Sequence, residues 1–127
     1  MSNSFTCLMD ITKDLDDFIK RLKVSEKLII VEGLKDKRAL ESFGIKNIMT
    51  LKKPLYKVIE EASEKSKDII ILTDLDSKGR ELFGRLNSGL QRHGVRVDKT
   101  FREFLFRNTK LRQIEGITTY IKNLYKN

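Results

Sequence analysis

The sequence predicts an α/β fold, a parallel four-stranded core sheet with helices on both faces. Three observations carry that prediction. Leu28-Ile29-Ile30-Val31 and Ile69-Ile70-Ile71-Leu72 are short, unbroken apolar runs rich in β-branched residues, the pattern of strands buried on both faces. Each run ends in carboxylates and a glycine and then gives way to helical spacing. Strand and helix patterns alternate from residue 27 to residue 98, and such alternation builds βαβ units.

In chain order, residues 1–6 carry no pattern and are expected to be loose. Leu8, Ile11, Leu15, Phe18, Ile19 and Leu22 follow helical spacing, with acids early and Lys20, Arg21 and Lys23 late. That is an amphipathic helix whose charges match its dipole, and residues 1–26 are expected to pack as a cover on the domain formed by residues 27–127. The first strand, 27–31, ends in Glu32-Gly33. A helix through Ala39, Leu40 and Phe43 follows and stops at Gly44. Residues 47–51 read as a second strand. Pro54 stands near the start of a helix whose apolar side is Leu55, Val58, Ile59 and Ala62.

Residues 68–81, DIIILTDLDSKGRE, hold the centre of the chain. After the third strand, Asp74 and Asp76 occupy the turn. Ser77 is the expected helix cap, and Gly79 permits close backbone approach. The following helix, about 78–93, turns Leu82, Phe83, Leu86 and Leu90 inward and ends at Gly94. His93, at that helix end, is placed to contact the last carbonyls. Residues 95–97 read as the fourth strand. A short helix at 101–106 uses its phenylalanines for the core. A basic loop at 108–113 with Lys110 and Arg112 leads through Ile114-Glu115-Gly116 to a last helix bearing Ile117, Tyr120, Ile121 and Leu124.

Asp74 and Asp76 lie two residues apart at the carboxyl end of a buried strand, where open α/β sheets bind ligands. Two hard oxygen donors on one side suit Mg²⁺, which keeps several waters and takes phosphate oxygens as further ligands. An equally simple reading makes one Asp a helix cap and the other a solvated turn residue. Glu32 sharpens the choice. If the first and third strands are neighbours, Glu32 meets Asp74 and Asp76 at one edge, close enough to share one hydrated cation or two neighbouring ones. Clustered like charges are costly unless a cation neutralises them.

Composition narrows the function classes. A chain of 127 residues with 35% charged and 39% apolar residues fits one domain with one modest core. No apolar run is long enough to span a bilayer. Asp10, Asp14, Asp16 and Asp17 stand where a signal peptide needs an apolar stretch, so the expected location is the cytoplasm. Cys7 is the only cysteine, which excludes an intrachain disulfide and a cysteine-built zinc site. The net charge of +8 is unevenly placed. Residues 1–77 hold 14 basic and 14 acidic side chains, and residues 78–127 hold 12 basic and 4 acidic. The whole excess lies downstream of the paired aspartates, which points to a polyanionic partner.

The paired motifs LIIVEG (28–33) and IIILTDLDSKG (69–79) resemble the signatures of the Toprim domain. That domain is shared by topoisomerases, bacterial-type primases, OLD-family nucleases, RecR-type recombination proteins and the maturase of 5S ribosomal RNA precursor. The resemblance covers about residues 27–97 and reaches toward Glu115. It implies a Rossmann-like sheet with a Glu after the first strand and a DxD after a later one. Asp36 matches an acid in the EGxxD form of the first motif. The run from Asp74 to Arg80 is similar to the DPDxxGE form of the maturase, with Arg80 in the place of its Glu. The chain resembles a small stand-alone Toprim protein.

The resemblance implies that Asp74 and Asp76 bind Mg²⁺, with Mn²⁺ as the alternative. Glu32 then contributes to the metal site or acts as general acid/base at a phosphodiester, and Asp36 is an additional acid. Arg80, Lys110 and Arg112 are the expected contacts to nucleic acid, RNA favoured over DNA. No zinc module or second domain accompanies these motifs, and Tyr56, Tyr120 and Tyr125 lack the context of a topoisomerase nucleophile. Strand passage and priming are therefore not expected. Nuclease-like hydrolysis of structured RNA or DNA and a non-catalytic adaptor role in a larger assembly both remain. The DxD is also similar to the nucleophile motif of haloacid-dehalogenase-type phosphatases, but Lys78 stands where that motif has Thr or Val.

Overall fold

A computed structural model describes residues 4–125, with side chains described from 14 to 123. Among the described residues, six helices and four strands run in the order α1 (Ser4–Val24), β1 (Leu28–Val31), α2 (Leu34–Glu41), β2 (Ile48–Thr50), α3 (Leu55–Lys65), β3 (Asp68–Leu72), α4 (Ser77–Arg92), β4 (Arg96–Asp98), α5 (Thr100–Asn108) and α6 (Ile117–Tyr125), with a 3-10 turn at Ile114–Gly116. The strands form one sheet in the order β2-β1-β3-β4. Every pairing is parallel. The α/β architecture predicted from the apolar runs is the one observed.

The sheet separates two apolar layers because successive strand side chains face opposite sides. Ile29, Val31, Ile70 and Leu72 join Leu15, Phe18 and Leu22 of α1, Leu40 of α2 and Phe101 and Leu105 of α5. Ile30, Ile69 and Ile71 join Val58, Ile59 and Ala62 of α3 and Leu86 and Leu90 of α4. The four consecutive apolar residues of β3 are needed because both faces are covered; all but Asp68 of that strand are buried. Truncating one of them to alanine costs about 2–5 kcal/mol. Phe18 stacks on Phe104 at 5.4 Å and meets Phe101 edge-on at 5.5 Å, so these two phenylalanines of α5 serve the core as predicted, whereas Phe106, on the opposite side of the helix, is exposed.

Some boundaries differ. The helix α1 begins at Ser4, within the segment expected to be loose. Residues 1–3 and the side chains of Leu8, Ile11 and Leu124 lie outside the described residues. Leu82 and Phe83, expected to turn inward, are only partly buried, and Phe83 packs against the edge of the α3–α4 layer beneath the Arg102 guanidinium. Gly44 and Gly94 end their helices with φ of 83° and 75°, the left-handed conformation that favours glycine. His93 Nδ1 lies 2.9 Å from the Gly89 carbonyl oxygen, the predicted contact with the end of the helix.

Two features of register shape the functional edge. Val31 pairs with Leu72, so Glu32 stands level with Thr73. The edge strand β4 pairs with Asp68, Ile69 and Ile70 alone, leaving the carboxyl end of β3 uncovered on that side. The chain after β4 fills that space with α5 and the loop 109–113. Among the described residues, no helix is long and apolar enough to cross a membrane.

Candidate functional site

The carboxyl ends of β1 and β3 bring Glu32 and the DxD turn together. Glu32 Oε2 accepts from the Asp74 N–H at 2.7 Å. Asp74 Oδ1 in turn accepts from the Ile114 N–H at 2.9 Å. The loop is held a second time, by the Leu75 N–H donating to the Arg112 carbonyl at 2.7 Å. The segment with Lys110 and Arg112 thus flanks the acid edge. Lys110 and Arg112 line a groove of about 570 Å³ whose wall includes Asp76 and Tyr120.

Asp76, not Ser77, is the cap of α4. Its Oδ1 accepts from the Gly79 N–H at 2.8 Å, and Ser77 is exposed. Both residues are competent caps; the turn backbone decides between them. A Cβ on Gly79 would sit 1.9 Å from the Asp74 carbonyl oxygen, so only glycine lets the helix start this close to the turn. Thr73, fully buried, donates from Oγ1 to the Gly79 carbonyl at 2.7 Å and closes the turn from below.

Asp36 is buried. Its Oδ2 accepts from the Gly33 N–H at 3.0 Å, and the Glu115 N–H also reaches its carboxylate. Asp36 therefore joins the turn after β1 to the 3-10 turn. Arg80 is exposed on the first turn of α4. The residue missed in the sequence is Arg102 of α5. Its Nη2 donates to the Asp74 carbonyl at 2.9 Å and its Nε reaches the Thr73 carbonyl at 3.4 Å. Its guanidinium lies over the Phe83 ring, 4.8 Å from the centroid. The local sequence FREFLFR shows an amphipathic helix and nothing that marks one arginine.

The electrostatics follow from this crowding. Burial pushes the Glu32 carboxyl up; the Asp74 N–H draws it back, and the charges of Asp74, Asp36 and Asp76 push it further up. Burial likewise raises Asp74, opposed by the Ile114 N–H and aided by Asp76 and Glu115, with Lys78 pulling the other way. Burial raises Asp36 too, against the Gly33 bond and with the charges of Asp74 and Glu115. Burial lowers Arg102, Arg80 lowers it further, and Glu32, Asp74 and Asp76 oppose that shift.

The acids form a hydrogen-bonded chain rather than a cage. Among the described residues, no group of three or more His, Cys, Asp or Glu side chains is spaced to hold a metal ion by itself. Each carboxylate has one oxygen turned to a backbone N–H. Oε1 of Glu32, Oδ2 of Asp74 and Oδ2 of Asp76 carry no hydrogen bond to a described residue. Such a set suits a hydrated Mg²⁺ taking one or two carboxylates and several waters. It does not suit a cation ligated entirely by protein.

Comparison with known proteins agrees with this edge. The Toprim domain family model matches residues 27–100, the stretch that carries both acidic motifs. A UPF0292 protein of Methanocaldococcus jannaschii is 31% identical, over 92% of this chain and 91% of its own length. One from Thermococcus gammatolerans is 38% identical, over 80% of this chain and 76% of its own. A solved structure of an Aquifex aeolicus protein, 36% identical, superposes with a TM-score of 0.75 over 80% of this chain and 96% of that one. With Glu32, Asp74 and Asp76 gathered at the carboxyl ends of neighbouring parallel strands, and with these matches, the chain belongs to the Toprim domain family and is similar along most of its length to its small UPF0292 members.

Proposed function

We propose that this protein is a Mg²⁺-dependent phosphodiesterase acting on structured nucleic acid in the cytoplasm, RNA favoured over DNA. Toprim domains in general bind Mg²⁺ and act on nucleic acid. The observation that carries the reading is the coupling of Glu32 to the DxD turn. The two motifs are joined by one hydrogen bond, yet each carboxylate keeps an oxygen free of protein donors. A helix cap alone explains Asp76. It does not explain Glu32 and Asp74, which hold no helix.

A divalent cation bound to Asp74 and Asp76 would supply charge neutralisation and an acidified water. The chain supplies the rest. Glu32, with Oε2 held by the Asp74 N–H, presents Oε1 to take a proton from the attacking water or to give one to the leaving oxygen of a phosphodiester. Arg102 fixes the Asp74 carbonyl and lends positive charge behind the acids. Arg80, Lys110 and Arg112 offset the repulsion between the acids and a phosphate backbone.

One observation favours a second reading, a non-catalytic nucleic-acid adaptor: no three carboxylates among the described residues are spaced as a metal cage. The deciding experiment incubates labelled structured RNA, and DNA of matching sequence, with the protein in Mg²⁺, Mn²⁺ or chelator. Cation-dependent cleavage lost in Glu32→Gln, with binding kept, supports the phosphodiesterase. Tight binding with no cleavage of any substrate supports the adaptor. No binding even at low salt removes both.

A further inference from the structure

The helix α4 carries more than the site at its start. Its sequence SKGRELFGRLNSGLQR holds Lys78, Arg80, Arg85 and Arg92 against Glu81 alone. Lys78, Arg85 and Arg92 are spaced by seven residues. A seven-residue step drifts only about 20° around a helix, so the three lie in one row. At 1.5 Å per residue the row is roughly 21 Å long. It starts at the acid edge, where the Lys78 charge acts on Asp74.

The far part of the row opens onto a groove between α3 and α4, about 430 Å³ in volume. Arg85 and Arg92 form one wall and Tyr56 of α3 the other. Tyr56 is 62% exposed, unusual for so large a ring. Arg85 and Arg92 are exposed too, and none of the ion pairs among the described residues involves α4. Gly89 in the floor has a packing reason, since a Cβ there would meet Ile59 Cδ1 at 2.4 Å. Gly84 has none: a Cβ there would meet nothing within 4 Å. Glycine in mid-helix is unfavourable, and here it keeps the mouth of the groove open to close approach.

Unpaired arginines at intervals along a groove, with an exposed aromatic ring beside them, are what a single nucleic-acid strand requires. The cations follow the phosphates, and the ring stacks on a base of any sequence. A duplex keeps its bases paired and offers the ring no face. We infer that the α3–α4 groove is a track for single-stranded nucleic acid continuing from the acid edge, with Tyr56 stacking on a base and Arg85 and Arg92 on phosphates. The inference rests on the reading that this protein acts on nucleic acid, and it assigns the single-stranded part of the substrate to this face.

The test uses fluorescence anisotropy of a labelled oligouridylate and of a blunt RNA duplex of equal length, with the full chain. Tyr56→Ala is expected to weaken oligouridylate binding about 10-fold, with Tyr56→Phe near wild type and the duplex unaffected. Arg85→Gln with Arg92→Gln is expected to lower the salt slope by about 1.4, or 0.7 for each phosphate of a single strand that the protein no longer neutralises. The positions are exposed, and unchanged thermal melting confirms that the variants fold. If wild type binds the oligonucleotide and these variants bind it equally with the same slope, the track is overturned while the proposed function stands. If Tyr56→Ala instead dissociates a dimer in sedimentation and leaves binding untouched, the groove is a contact between copies and the inference fails. If wild type binds neither probe at low salt, this inference and the proposed function fall together.

Discussion

Glu32 and Asp74, 42 residues apart, are joined by a 2.7 Å hydrogen bond from the Asp74 N–H to Glu32 Oε2. The bond does two things at once. It satisfies a backbone donor in the turn after β3, and it orients a carboxylate whose other oxygen faces away from protein donors. Glu32 is thus a structural residue and, in the proposed function, a chemical one, and two substitutions separate the roles.

Glu32→Gln keeps an acceptor for the Asp74 N–H and removes the proton carrier. We expect the melting temperature to hold and nucleic-acid binding to persist, while cleavage falls on the order of 10²-fold or more. Glu32→Ala also strips the turn of its partner and costs about 1–3 kcal/mol in denaturant unfolding. Equal stability in the two variants would show that the bond does not hold the turn.

Asp74→Asn with Asp76→Asn keeps both side-chain acceptors for the Ile114 and Gly79 N–H groups, since asparagine caps helices as well as aspartate. Wild type is expected to gain melting temperature with Mg²⁺ or Mn²⁺ through preferential binding to the native state. The double variant should lose that gain and keep its fold. An undiminished cation response would place the metal elsewhere.

The pH dependence has a definite sign. Glu32, Asp36 and Asp74 all have folded pKa values raised, chiefly by burial. Without a cation, the folded state therefore binds protons that the unfolded state has released. The stability that these groups contribute is present below the unfolded carboxylate range and is lost as pH rises through the raised values. Asp98 opposes this: burial pushes it up, but Thr100 and Lys27 outweigh burial and lower it, so its contribution appears above the unfolded range and is lost as pH falls through its lowered value. If Asp74 and Asp76 hold the cation as proposed, protons and cation compete for the Asp74 oxygens, so the Mg²⁺-induced rise in melting temperature should grow with pH across the raised window. A cation effect independent of pH there would sink the assignment.

Gly79 and Gly84 make an opposed pair on one helix. Gly79→Ala drives a Cβ into the Asp74 carbonyl and is expected to cost 4 kcal/mol or more, by order of magnitude, or to prevent folding. Gly84→Ala meets open space and should stabilise by about 0.5–1 kcal/mol. Urea unfolding of both variants checks the turn geometry directly.

Arg102→Lys keeps the charge and loses the planar fork that spans the Thr73 and Asp74 carbonyls. Arg102→Met loses both and keeps much of the packing on Phe83. If Arg102 acts by positioning, both variants should cost about 1–2 kcal/mol and lower cation-dependent cleavage. If it acts by charge alone, Arg102→Lys should match wild type in cleavage.

Much of this protein is local in origin and therefore readable along the chain. The β-branched runs of β1 and β3, the acids that follow them and the glycines that stop α2 and α4 each express a period or a backbone preference within a few residues. The meeting of Glu32 and the DxD was legible only on the condition that β1 and β3 are neighbours, and the strand order β2-β1-β3-β4 meets it. The cap of α4 did not follow. Asp76 and Ser77 are adjacent and both able, and the choice depends on how closely Gly79 packs against the Asp74 carbonyl while its N–H meets Asp76 Oδ1, a property of the folded turn. Arg102 did not follow either. It reaches Asp74 across 28 residues because β4 pairs only with the first part of β3 and α5 enters the gap. The same holds for the Ile114 N–H on Asp74 and the Glu115 N–H on Asp36, donors that every residue but proline carries. Side-chain chemistry at a strand end is written in residue identity; which backbone groups and which of many arginines complete it is settled by how distant segments pack.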